Sequence, residues 1–240
     1  MHLPPALPRA FSARSPLDLA PALIGTLLCH LVDGTLVAAL IVETEAYLGP
    51  EDRASHARAG RTARTQPMFG PPGHAYVYRL YGMHWAFNVV GHTDQDPAGA
   101  VLIRAALPVA GLDAQRRLRG RPSDPVPRLA AGPARLCQAL GIVGADSGRD
   151  LTMGPPLWLA AMPSEPPEEW ADAGLAPGNG PEYGPDASPG PLRTPPLLQG
   201  PRVNVDYAGE PWTERPYRFG LAGSPALSRP FPGPGGRRDV

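Results

Sequence analysis

The sequence predicts a single α+β domain in which a mostly antiparallel sheet is flanked by helices. Three observations carry this. Asp33-Gly34 separates two apolar runs, TLLCHLV and TLVAALIVETEAY, and Asp-Gly is a strong two-residue hairpin signal. A second pair of runs, HAYVYRL and HWAFNVV, meets near Tyr81-Gly82-Met83. Helical pattern is confined to short segments, so hairpins dominate and the helices must cover the sheet. At 240 residues and 42% hydrophobic content the chain can bury a sizeable core.

In chain order, residues 1–10 read as a flexible N-terminus and 11–228 as the domain. Ser15-Pro16 before LDLAPALIG predicts a short helix, with Ser as cap, Pro in the first turn and Gly25 past the end. The Asp33-Gly34 hairpin follows. EDRASHARAGRTARTQPMFGPPG reads as a long arginine-bearing loop, and the second hairpin comes after it. AGAVLIRAALPV is another strand. GLDAQRRLRG and GPARLCQALG are helical, the latter started by Pro133 and stopped by Gly141. Late strands are expected at PRVNVDY and PYRFGLAG. Between them, residues 163–196 are rich in Pro, Gly and acid, a composition that cannot bury enough apolar area to offset its ordering entropy, so a mobile surface loop is expected. Residues 229–240 read as a flexible tail.

Composition excludes several classes of chemistry. All 22 basic residues are Arg, so neither a P-loop nor lysine Schiff-base chemistry is available. Two cysteines, Cys29 and Cys137, cannot build a Cys-rich zinc site, an iron–sulfur cluster or a disulfide framework. No stretch is long and apolar enough to cross a membrane, and the N-terminus lacks the apolar region of a secretory signal. A cytoplasmic protein without metal or cofactor is expected. The net charge of 0 conceals an uneven distribution: residues 1–150 carry +3, 163–190 carry −6, and 191–240 carry +3. Outside the acidic segment the chain is therefore basic, as a polyanion-binding surface would be, although ordinary scatter of charge reads the same way.

A few residues stand out chemically. Strand alternation puts Val37, Ala39, Ile41, Glu43, Glu45 and Tyr47 on one face, the two Glu residues about 7 Å apart. A carboxylate in an apolar strand is costly unless paired or solvated, so these are either a strand end with an Arg partner or a positioned general base. Alternation does not say which Glu would be the base. Tyr47, Tyr76, Tyr78, Tyr81, Trp85 and Phe87 crowd into about 40 residues, as core packing or as a stacking platform for a planar ligand. Tyr81, at a hairpin tip beside Gly82, is poorly placed for a core. Asn88 and Arg104 are polar residues inside apolar strands and require buried partners. His56 lies in the arginine-bearing loop, and no histidine pair has metal-ligand spacing.

Taken together, IVETEAYLGPEDRASHARAGRT, MFGPPGHAYVYRLYGMHWAFNVV, VLIRAALP, GPARLCQALGI with a following RDL, and PRVNVDYAGE before RPYRFGLAGSP closely resemble the alkyladenine (3-methyladenine) DNA glycosylase family, in order over roughly residues 10–228. The resemblance implies one compact domain around a curved antiparallel sheet, similar to the C-terminal domain of formyltransferases. It implies a monomer, without cofactor or obligate protein partner, that acts on double-stranded DNA containing damaged purines and flips the damaged nucleotide out. By motif, Glu45 corresponds to the catalytic base that activates water and Arg104 to the arginine beside it. Tyr47, His56 and Tyr78 correspond to pocket walls, Asn88 to the residue that disfavours guanine, and Tyr81 to the wedge that fills the gap left by flipping. The 163–196 segment has no alignable family counterpart, and His84-Trp85 beside the wedge departs from the mammalian form.

Two other functions are compatible with parts of this pattern. A damage-binding module would stack a flipped base without excising it, but needs no strand-embedded carboxylate such as Glu45. A free-nucleoside hydrolase would need neither Tyr81 at a hairpin tip nor the arginine-bearing loop.

Overall fold

The computed structural model describes residues 3–163, 167, 170 and 196–232. In chain order the elements are α1 (Arg9–Ser12), α2 (Pro16–Leu23), β1 (Leu27–Val32), β2 (Thr35–Tyr47), β3 (Ala75–Leu80), β4 (His84–Val90), β5 (Ala100–Ala110), α3 (Leu112–Arg119), α4 (Val126–Leu129), α5 (Pro133–Ala139), β6 (Leu157–Ala160), β7 (Leu197–Gly200) and β8 (Arg218–Leu221). The strands form one open sheet in the order β3-β4-β5-β2-β1-β6, and every pairing is antiparallel. β1 covers Thr35–Leu40 of β2 and then ends. β8 takes over along Glu43–Glu45, with β7 outside it.

Local chemistry accounts for these elements. Ser15 caps α2 by accepting from the Asp18 N–H at 3.3 Å. Asp33 and Gly34 both adopt positive φ, the twist that a two-residue hairpin demands. The larger core cluster lies on one face of the sheet, where Leu19 and Leu23 of α2 and Leu136 and Leu140 at α5 meet Val37, Ile41, Phe87 and Ile103. The second cluster lies on the other face, around Leu36, Leu40, Val42, Leu107 and Trp158.

Several sequence expectations are corrected. The face of β2 switches midway. Val37, Ala39 and Ile41 belong to the larger cluster, but so does Ala46, and Thr44 donates to the Ala20 carbonyl of α2 at 2.9 Å. Glu43, Glu45 and Tyr47 therefore share the opposite face from Ile41. The cause is a pair of compensating bulges: Val42 is the extra residue on β2, and one step later Arg104 is the extra residue on β5. Strict alternation cannot anticipate an inserted residue.

PRVNVDY is not a strand. β7 lies just before it, and the Arg202 and Val203 polar groups bind Asp52 and Glu45 rather than a ladder; Asn204, at φ 59°, breaks the extended path. β6, at four residues, is too short to stand out from its surroundings in the sequence. Within the N-terminal stretch expected to be flexible (1–10), Leu7 is buried and donates its N–H to the Leu159 carbonyl at 2.8 Å, and Trp158 donates to the Pro4 carbonyl. The loop expected at 163–196 lies mostly outside the described residues, but Trp170 within it is buried against the second cluster. Arg229, Pro230 and Phe231, expected to begin a flexible tail, lie against Arg218, while residues 233–240 are outside the described residues.

Candidate active site

The bulges decide what lies beneath the main cavity, because they turn Glu43, Glu45 and Arg104 to one face of the sheet, where β8 brings Arg218. Both carboxylates are fully buried. Glu43 accepts from Arg104 Nε at 3.1 Å, Arg218 Nε at 2.7 Å, the Ser228 N–H at 2.6 Å and the Ser228 hydroxyl at 2.8 Å. Glu45 accepts from the Tyr47 hydroxyl at 2.8 Å and Arg104 Nη1 at 3.3 Å on Oε2, and from the Val203 N–H at 2.7 Å on Oε1.

The two acids are thus chemically unequal. A carboxylate has about four lone-pair sites. Glu43 has four donors among the described residues, three on Oε1 and one on Oε2, and two of them are guanidinium groups; Glu45 has three, two on Oε2 and one on Oε1, and only one of them is a guanidinium. Burial opposes the charge on Arg104, yet Glu45 and Glu43 outweigh it and hold its pKa above the ordinary arginine value, so its charge is fixed. Burial of its hydroxyl and then the adjacent Glu45 carboxylate push the Tyr47 pKa well up, so it stays a donor. Arg202 lies behind Tyr47, paired with Asp52 and stacked 4.8 Å from the Tyr47 ring centre, which fixes that ring in place.

Above this network opens a cavity of about 570 Å³. Glu45 does not itself line it, but its three donors, Tyr47, Arg104 and Val203, all do. The opposite wall is β3, where Tyr76 and Tyr78 share a face and stack at 5.4 Å. His56, from the arginine-bearing loop, stands edge-on to Tyr78 at 4.5 Å. Burial, then the Arg64 charge, lower the His56 pKa to about 4, so the ring is neutral at neutral pH. Its tautomer follows from its partners. Arg64 Nη2 lies 3.2 Å from Nε2 and can only donate, so Nε2 accepts. Nδ1 therefore carries the proton and donates to the Tyr76 hydroxyl at 2.9 Å. Asn88, on β4 opposite Tyr76, donates from Nδ2 to the Tyr76 carbonyl at 2.9 Å, which fixes its amide at the cavity wall.

Tyr81 sits at the lip of the cavity. It and Gly82 form a type I′ turn with φ of 50° and 72°, closed by the Met83 N–H on the Leu80 carbonyl. For a bulky residue that left-handed conformation costs about 1–2 kcal/mol, and Tyr81 is 79% exposed. A strained, exposed aromatic at a cavity mouth has no folding purpose. The lining also carries five arginines, Arg64, Arg79, Arg104, Arg135 and Arg229, and no carboxylate, although the chain is neutral overall.

All seven residues singled out by sequence (Glu45, Arg104, Tyr47, His56, Tyr78, Asn88 and Tyr81) come together in or directly beneath this cavity. The sequence marks Tyr76 only as one of the crowded aromatics, and gives no sign of Arg64, Val203 or Ser228. Tyr76 was legible as the same-face neighbour of Tyr78. The other three act through long-range contacts that no local pattern signals.

An α+β domain with an aromatic-walled cavity over a buried carboxylate–guanidinium network defines the class as an enzyme. The chain belongs to the methylpurine-DNA glycosylase (MPG) family, which its residues 10–174 match. Among its relatives are proteins of Anaeromyxobacter dehalogenans (45% identical over 95% of this chain and 87% of the relative), Nitrosospira multiformis (42%, 92% of each) and Bacillus cereus (37%, 92% and 98%). Each of the three bears the name "Putative 3-methyladenine DNA glycosylase".

Proposed function

We propose that this protein is a monofunctional DNA-3-methyladenine glycosylase. It acts as a monomer, flips alkylated or deaminated purines of the 3-methyladenine, hypoxanthine and ethenoadenine class out of duplex DNA, and hydrolyses the N-glycosidic bond to leave an abasic site. The observation that carries this reading is a fully buried carboxylate, Glu45, held beneath an aromatic cavity by Tyr47, Arg104 and the Val203 N–H, three groups that all line that cavity.

A base inside a duplex must be extruded before its glycosidic bond can be reached, and it is then held by stacking. Tyr47 and Tyr78 supply faces and His56 an edge. N-alkylation makes the purine electron-poor, which favours stacking on electron-rich rings, and also makes it a good leaving group. Glu45 Oε1 takes a proton from water directed at the anomeric carbon, and the carboxylate stabilises the positive charge developing on the sugar. Arg104 and the Val203 N–H hold the carboxylate in place. Asn88, fixed by Tyr76, crowds the exocyclic amine of guanine. Tyr81 enters the stack in place of the extruded base. The strand is left uncut, since the chain has no lysine to form a Schiff base.

The test is incubation with duplex oligonucleotides carrying 3-methyladenine, hypoxanthine or ethenoadenine, scored for abasic sites. Alkali-labile abasic sites opposite intact strands are expected. Tight lesion binding with no release of free base would leave a damage-binding module instead.

A further inference from the structure

Of the five cavity arginines, three are committed. Arg104 is held by Glu43 and Glu45, Arg64 by His56 and the Tyr78 ring, and Arg79 by the Gly82 carbonyl and the Trp85 ring. Arg135 and Arg229 make no side-chain hydrogen bond or ion pair among the described residues, and both are exposed at the cavity lining. Arg229 is the more unusual, because the backbone that carries it is pinned. Residues 224–231 cross the sheet as a strap. Ser228 gives both its N–H and its hydroxyl to Glu43. Arg218 donates to the Arg229 carbonyl at 2.6 Å and to the Pro230 carbonyl at 3.3 Å. The Phe231 ring lies 3.9 Å over the Arg218 guanidinium, and its edge fills the space beside Gly220. Two buried charges thus fix a short stretch of chain whose one cationic side chain is left uncommitted at the mouth.

We propose that the strap 224–231 is part of the DNA-binding site and that Arg229 holds a phosphodiester flanking the extruded nucleotide. This rests on the glycosylase reading above. A guanidinium matches a phosphate by paired hydrogen bonds, and pinning its backbone beforehand reduces the ordering cost of the contact. The same Glu43 that accepts from the strap also holds Arg104, so the strap sets the distance between the phosphate contact and the Glu45 network.

The experiment measures affinity for a lesion-bearing duplex as a function of salt. Neutralising one phosphate contact lowers the slope of log K against log[salt] by about 0.9. Arg229→Ala is expected to lose about one unit of slope and roughly 5- to 10-fold in affinity near 0.1 M salt. Arg229→Lys should keep the slope. Phe231→Ala, which retains the charge but loosens the strap, should lose affinity with the slope largely kept. Methylphosphonate linkages placed singly at the phosphates around the lesion locate the contact: at one of them the wild type weakens and Arg229→Ala does not weaken further. An unchanged slope in Arg229→Ala, or equal weakening of both proteins at every linkage, overturns the assignment. Full affinity in Phe231→Ala overturns the role of the strap. A wild type that shows no salt-dependent duplex binding refutes the glycosylase reading itself, and Arg121→Ala, an exposed arginine away from the cavity, controls for general loss of charge.

Discussion

At the scale of single residues, Glu43 and Glu45 differ by what holds them: two guanidinium groups and Ser228 hold Glu43, and three groups that line the cavity hold Glu45. Glu45→Gln removes the negative charge and the proton acceptor at little change of size. Excision should fall by about 10²–10⁴ or more, the range general-base catalysis supplies, while lesion affinity persists. Single-turnover excision compared with binding in a gel-shift assay checks this, and near-normal excision would remove Glu45 from its role. Glu43→Gln should behave differently. Its amide nitrogen would face the Ser228 N–H if it replaces Oε2, or the Arg104, Arg218 and Ser228 hydroxyl donors if it replaces Oε1. Loss of buried charge-assisted bonds is costly, so the melting temperature should drop by several degrees, with excision per folded molecule falling far less than in Glu45→Gln. Asn88→Ala, by opening space at the cavity wall, should raise excision of guanine-derived relative to adenine-derived lesions. A constant ratio across the two lesion types would mean that discrimination lies elsewhere.

At the scale of elements, the β3–β4 hairpin trades stability for an exposed aromatic. Tyr81 holds a left-handed backbone that glycine adopts freely. Tyr81→Gly should therefore leave the fold as stable or stabilise it by up to about 1 kcal/mol, yet weaken flipping. The loss of single-turnover excision should be largest for lesions that pair stably and smallest for mispaired ones, since flipping costs a few kcal/mol that depend on pairing. Equal loss in every pairing context would make Tyr81 a pocket wall instead. The hairpins were legible because Asp33-Gly34 and Tyr81-Gly82 mark tight turns between apolar runs. The carboxylate network was legible only in part. ETEAY showed that acids sit in a strand, but which face they take depends on Val42 and Arg104 being extra residues in two adjacent ladders, a property of pairing rather than of either sequence. The strap was illegible for a similar reason. SRPF reads as a Pro-rich tail, and its anchors, Glu43 and Arg218, are remote in the chain.

At the scale of the whole molecule, the cavity is built to keep its histidine neutral, and this has a consequence for stability against pH. His56 has a folded pKa of about 4, lowered by burial and by Arg64, against an ordinary value of 6.5. Above pH 6.5 both folded and unfolded chains hold it neutral and it has no effect. Below that, the unfolded chain takes up a proton that the folded chain refuses, so stability is lost as pH falls from 6.5 to 4 and the loss levels off below 4. Protonation would also undo the acceptor role of Nε2 towards Arg64 and set two cations at 3.2 Å. Asp150, whose burial raises its pKa but whose bonds from Thr152 and Arg9 together outweigh it and hold it to about 2, adds a separate loss only below its ordinary value of 3.8. The two contributions are thus separated along the pH axis. Thermal melts of the wild type from pH 8 to 3 should show a decline beginning near 6.5. His56→Gln, which cannot titrate, should flatten the part between 6.5 and 4 and leave the part below 3.8 in place. Parallel melting curves for the two proteins between pH 6.5 and 4 would show that His56 is protonated in the folded state, and that the cavity does not hold it as a neutral acceptor.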